Sequence, residues 1–246
     1  MIEFMHNRGF MTHMPFLAPL PSGGRLLFFC CSDETRVWKL VYEENNDYFR
    51  IETGLPENTI ECSPTAWQDT EGWHVSFIGG FTPECRDYYL YRLDGKDLRR
   101  MPPATKVCMA SVGYVYQKRL VRGDQNVIVV EDSDANQTAR INIPDSHLYR
   151  LSYSPDNPEL ILASVHDRIK KEVYLLEQNM ITGEQAKIEC DGVAAYKCAV
   201  LGGEMVYADK TGKQFEQRRI TQAKTIKRTH LQTVVIDWVK HENHSI

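Results

Sequence analysis

The sequence contains no Gly-x-Gly-x-x-Gly, no P-loop, no Gly-x-Ser-x-Gly and no His-Glu-x-x-His. Dinucleotide, ATP-loop and zincin chemistry therefore lack the residues they need. No Cys-x-x-Cys pair occurs, and none of the eight histidines stands at metal-ligand spacing from a second ligand. Neither a metal site nor a cofactor is expected. No apolar run approaches the ~20 residues that carry a helix across a bilayer, so no membrane association is expected. The opening residues are interrupted by His6, Asn7 and Arg8 before an apolar core of a signal peptide can form, and no secretory signal is expected. Charge of one sign is not in large excess either. The net value is -4 with a pI near 6.1, so the whole chain advertises neither nucleic acid nor an anionic surface. No linker or low-complexity stretch divides residues 1–246, which read as one domain.

What is present is apolar and aromatic. The apolar share is 42%, and twelve Tyr, nine Phe and four Trp suit half-buried strands. Seven cysteines, an odd number, lie mostly within apolar runs such as Leu26-Leu27-Phe28-Phe29-Cys30-Cys31. They read as buried thiols of a reducing compartment, and the protein is expected to be soluble and cytoplasmic.

Short β-type runs separated by Gly, Pro, Asp and Asn recur with a period of roughly 45 residues. First strands are read at Phe16–Leu20, Ile60–Trp67, Val107–Val112, Leu148–Ser154 and Ala194–Val200, with starts 44, 47, 41 and 46 residues apart. Three shorter strands follow each, joined by turns such as Pro21-Ser22-Gly23-Gly24, Asp94-Gly95 and Thr182-Gly183. The expected fold is all-β: a single β-propeller, five blades of four antiparallel strands preferred and six possible. The blades are read at 16–54, 60–102, 107–143, 148–190 and 194–230, with Thr225–Thr229 as the outermost strand of the fifth. Residues 232–239, or Ile2–Met5, would close the ring by completing the blade of the other terminus. A helix is the competing reading of the C-terminal segment, because Leu231, Val234, Val235 and Trp238 have i, i+3, i+4, i+7 spacing.

The fourth unit reads Leu151-Ser152-Tyr153-Ser154-Pro155-Asp156, then Leu160–Ser164, Asp167, Glu172-Val173-Tyr174-Leu175-Leu176 and Thr182-Gly183-Glu184. It resembles the TolB-type propeller repeat, with Asn157-Pro158 in place of the usual Gly and Arg168 at a second turn Gly. The resemblance covers one unit in five. It implies the fold and no catalytic residue.

An acidic residue recurs in the turn between second and third strands: Asp33, Asp124, Asp167 and Asp209, with Arg86 and Asp87 in the second unit. In a propeller these turns share one face, so Asp33, Arg86, Asp124, Asp167 and Asp209 form a candidate partner-binding ring. Turn chemistry also explains such recurrence, because an Asp side chain caps nearby backbone N–H groups. A second candidate surface is basic: Lys210, Lys213, Arg218, Arg219, Lys224, Lys227 and Arg228 face only Glu216. Asp132-Ser133-Asp134-Ala135-Asn136 starts like a calcium loop but lacks its Gly and its final Glu, and reads as a polar turn.

The function expected from these features is non-catalytic: a propeller that presents loop faces to another protein. One alternative is a propeller-fold carbohydrate hydrolase or lyase, with acid and base drawn from Asp69, Glu71, Asp87, Glu131 and Asp237. Another is a nucleic-acid-associated protein using residues 210–228. A sugar-binding propeller with one pocket per blade would need near-identical units, and these units diverge.

Overall fold

A computed structural model describes residues 11–20, 24–32, 37–44, 47–82, 85–101, 112–117, 119–132, 137–189, 198–201, 204–208 and 220–240. Among the described residues the regular structure is entirely β. Blade one is β1 (Met11–Leu20), β2 (Gly24–Ser32), β3 (Trp38–Glu44) and β4 (Asp47–Arg50). Blade two is β5 (Ile60–Asp69), β6 (Gly72–Thr82), β7 (Cys85–Arg92) and β8 (Asp97–Met101). Blade three is β9 (Val112–Tyr116), β10 (Arg119–Asp124), β11 (Val127–Asp132) and β12 (Gln137–Asn142). Blade four is β13 (Ser146–Ser154), β14 (Asn157–Asp167), β15 (Glu172–Asn179) and β16 (Glu184–Glu189). Each is a sequential antiparallel meander, and β1, β5, β9 and β13 lie side by side as the inner strands.

The sequence explains these elements locally. Val127–Val130 and Leu160–Val165 are β-branched and aliphatic runs whose both faces are covered by neighbouring blades, so they need no alternation. Toward the rim the pattern becomes period two: in β12, Ala139 and Ile141 are buried while Arg140 and Asn142 face outward. Two inner strands are kinked where a proline follows a left-handed residue. Met14 (φ 53°) precedes Pro15 in β1 and Ser63 (φ 54°) precedes Pro64 in β5, and the pairing register shifts at both. Proline is tolerated there because a bulge leaves a residue out of the ladder.

The arrangement is a β-propeller of four blades with four or five strands each, which corrects the expected five blades of four. The fifth repeat contributes a sheet of three strands, β17 (Cys198–Leu201), β18 (Glu204–Ala208) and β19 (Ile220–Thr225). It packs Val200 and Met205 against Leu162, Leu175 and Ile188 of blade four, and β17 lies against β1. That no fourth strand joins it among the described residues has a physical reason. The chain turns away after Thr225, and the next strand, β20 (Lys227–Thr233), pairs antiparallel with β16 instead. Blade four thereby gains a fifth strand at its rim.

The C-terminal segment also departs from expectation. It neither completes blade one nor forms a helix. Residues 232–233 end β20, residues 234–238 run extended, and β21 (Val239–Lys240) pairs with Gln137 and Thr138 of β12. Val234, Ile236 and Trp238 pack against the main core while Val235 is 84% exposed, an alternation that no helical face would give. Ile2–Met5 and residues 107–111 lie outside the described residues. Residues 227–240 are thus a strap that runs along the rims of blades four and three.

One glycine makes the strap possible. Gly183 has φ +75°, and the carbonyl of Val234 lies 1.8 Å from where a Cβ would stand. The Val234 N–H in turn donates to the Gly183 carbonyl at 2.9 Å. Gly183→Ala is expected to cost more than about 1 kcal/mol and to lift the strap. Tryptophan emission should then move to the red as Trp238 loses its packing, with the strands of blades one and two unchanged in amide exchange.

Candidate functional site

Side chains from all four inner strands meet at the axis. The Tyr153 ring lies 5.1 Å from Phe16, 5.6 Å from Tyr114 and 4.5 Å from Tyr116, and Trp67 lies 5.4 Å from Tyr116. The Tyr153 hydroxyl donates to the Ala66 carbonyl. Burial first, then the neighbouring Tyr116 and Tyr114, hold that phenol well above its ordinary range. Closer to the bulges, buried Arg150 donates from Nη2 to the Pro15 carbonyl at 2.6 Å, joining blade four to blade one. Burial pushes the Cys30 thiol up, with Cys62 adding to the effect. The axis is a packed aromatic seam with a buried guanidinium.

The carboxylates that a glycosidase would need are not brought together as an acid and a base. Asp69 accepts from the Glu71 N–H at 2.8 Å and lies 3.0 Å from His74, and the Glu71 N–H, ahead of His74, keeps its carboxyl below the usual range. Asp87 is paired with Arg100 at 2.8 Å, and Glu131 with Arg122 at 3.0 Å. Asp237 is exposed on the strap.

The acidic turn ring is only partly described. Asp33 and Asp209 lie outside the described residues. Arg86 stands in β7 opposite Gly80, and Asp124 ends β10 opposite Val127. Asp167 caps its own hairpin, accepting from the N–H groups of Ile169 at 2.9 Å and Lys170 at 2.8 Å. Those bonds, the one from Lys170 first, lower its pKa. A carboxyl lowered in the folded state stabilises the fold above its unfolded pKa and loses that contribution as pH falls through the folded value. Asp167→Asn should therefore lower the urea midpoint slightly near neutrality, where that contribution is complete, and leave it unchanged below the lowered pKa, so that the variant loses less stability on acidification.

Of the basic candidates, Lys210, Lys213, Arg218 and Arg219 lie outside the described residues. Lys224 stands in β19 opposite Met205. Lys227 is exposed on β20, and Arg228, also exposed, reaches across to blade four and holds both Glu177 oxygens at 3.3 Å. Its charge anchors the strap to blade four.

The feature that sequence reasoning missed is a cleft of about 450 Å³ between blades three and four, walled by the strap. Blade three supplies Arg119, Asp132 and Gln137, blade four supplies Glu159, Met180 and Ile181, and the strap supplies Trp238. The cleft opens on the face opposite the acidic turns, where first strands turn into second and third into fourth. Arg119 Nη1 donates to Glu159 Oε2 at 2.7 Å across the blade boundary. Ile181, 76% exposed, sits at the rim, and Leu231, Val235 and Val239 are exposed along the adjoining strap. A sequence signal existed in the aromatic and β-branched run Val234-Val235-Ile236-Asp237-Trp238, but it does not say which blade the run lies against.

Among the described residues no group of three or more His, Cys, Asp or Glu could hold a metal ion, and no helix is long and apolar enough to cross a membrane. Comparison with protein families finds none that matches the chain, and no curated protein matches it either.

Proposed function

We propose that the protein is a non-catalytic binding module, a protein-interaction scaffold of the cytoplasm, and that its main contact surface is the strap side of blades three and four. The observation that supports this most is the exposed apolar side chains of Leu231, Val235 and Val239 on a segment pinned at both sides, with Ile181 exposed in the turn between β15 and β16. Several large apolar side chains left exposed on one pinned segment favour a macromolecular partner. The core thiols Cys30, Cys31 and Cys62 fit a reducing compartment. The packed aromatic axis and the separately paired carboxylates weigh against the hydrolase alternative, which needs an acid and a base facing one pocket. The nucleic-acid alternative is weakened because Arg228 is engaged by Glu177. The turn face carrying Asp124 and Asp167 is a secondary contact surface in this reading, together with Asp33, Arg86 and Asp209.

The test is a quantitative pull-down from native extract, with and without nuclease, using the natural chain and a Val235→Asp, Val239→Asp variant. A nuclease-resistant partner that the variant no longer captures is the expected result. Capture that disappears with nuclease would move the assignment to nucleic acid. Capture unaffected by the variant would remove the strap as the contact surface.

A further inference from the structure

We propose that the cleft between blades three and four binds a neutral sugar ring. Trp238 packs against the core and also lines the cleft, so its indole is held as a fixed platform. An indole face carries partial negative charge, and it attracts the polarised C–H bonds on one side of a pyranose as well as excluding water from them. Around that platform the polar groups are mixed in kind. Gln137 offers an amide donor and acceptor, Asp132 offers carboxylate oxygens, and the Arg119–Glu159 pair fixes donors and acceptors at the far wall.

Charge decides between ligand classes. Arg119 is held by Glu159 at 2.7 Å and Asp132 is a second carboxylate of the lining, so the cleft offers no surplus of positive charge for a phosphate, and among the described residues it has no group of three ligands for a metal ion. A ligand matching this wall must have an apolar face and a periphery of groups that both donate and accept. Hydroxyls on a saturated ring supply that combination, and the volume lies within the range of small-molecule sites. The fold explains why there is one such place and not one per blade. Among the described residues only blades three and four carry a fifth strand, and it is at their boundary that the strap brings a tryptophan. The Glu159 carboxylate is held by Arg119, so the site is one of binding and proposes no bond cleavage.

This inference is independent of the protein-partner reading, because it concerns a small molecule and is measured without any partner. The full chain is titrated with methyl glucosides, galactose, mannose and N-acetylglucosamine up to about 50 mM, a range that captures millimolar affinity. Binding is read by saturation transfer from protein to sugar C–H protons and by tryptophan emission. The same sugars are then offered as glycans on a carrier glycoprotein, which separates a free saccharide from a protein-borne one as the source. At least one sugar should saturate, with transfer strongest on one ring face, and affinity should fall roughly tenfold or more in Trp238→Ala and in Gln137→Ala. Melting curves establish that each variant is folded, and Gln137→Ala alone decides if Trp238→Ala is not. Absence of saturable binding by any of these sugars, or binding that folded variants leave unchanged, would overturn the proposal.

Discussion

Replacing Glu61 by alanine should be among the most damaging single changes in the protein, at about 3–5 kcal/mol. Glu61 is 1% exposed on β5, and its carboxylate reaches Lys39 and Leu40 of blade one and Thr53 in the segment leading out of it. Oε1 accepts from the Thr53 hydroxyl at 2.8 Å and lies 3.4 Å from Lys39 Nζ, while Oε2 accepts from the Leu40 N–H at 3.3 Å. Truncation leaves a nearly buried ammonium without its counter-charge, a buried hydroxyl without its acceptor and a backbone N–H without a partner. Each of these costs more than the net worth of the bond that is lost. At the 2–4 °C per kcal/mol expected for a chain of this length, the melting temperature should drop by roughly 10 °C. Glu61→Gln keeps one acceptor oxygen, which can still receive the Leu40 N–H, and sets an amide NH2 beside the Thr53 hydroxyl, which can accept from it; it loses the charge and one acceptor but not the whole set, so it should cost roughly half as much. Equal losses for the two variants would show that the ion pair, and not the hydrogen-bond set, governs the joint between blades one and two.

The second large effect is expected at Tyr153. Its ring touches Phe16 and Tyr114 and stacks closest to Tyr116, and it is 3% exposed. Alanine there empties the seam in which the inner strands meet, and cavities of that size cost about 3–5 kcal/mol. Because the residues lining the void belong to β1 and β9 as well as β13, relaxation in one blade cannot refill it. Tyr153→Phe keeps the ring and loses only the hydroxyl bond to Ala66, for about 1 kcal/mol. Chemical denaturation should show both changes in the midpoint with little change of slope. A Tyr153→Ala variant as stable as the natural chain would mean that the axis is not packed as described.

Much of this fold is legible locally, and the parts that are not share a cause. The runs Leu26–Cys31, Val127–Val130 and Leu160–Val165 announce buried strands because their composition alone requires both faces to be covered. The turn at Asp167 announces itself because its side chain satisfies its own hairpin. The strap is different. Lys227–Thr233 has a strand-like composition wherever it lies, and nothing within it distinguishes a fourth strand of its own sheet from a fifth strand of blade four. The choice is made by Gly183, forty-odd residues earlier, and by Glu177 meeting Arg228. The period counted blades correctly for four repeats, whose strands pair with their immediate neighbours. It overcounted at the one repeat whose last strand pairs elsewhere.

Recurring acidic turns and the cleft lie on opposite faces, and only the first of these is written in the repeat. Recurring carboxylates drew attention to the turns between second and third strands, but recurrence marks what every hairpin needs. The cleft that differs from the other blade boundaries depends on an aromatic residue delivered by a long-range pairing, and no repeat count contains that information.

The central claim is that residues 227–240 strap the rims of blades four and three, and it is tested most directly by amide hydrogen exchange on the full chain. Strands β4 and β8 are rim strands of four-stranded sheets, whereas β16 is covered along most of its length by β20. Amides of Glu184–Glu189 should therefore all exchange slowly, like those of β15, while alternate amides of β4 and β8 exchange within the fast class. Exchange in β16 as fast as in β4 and β8 would contradict the strap, and the cleft would lose its third wall.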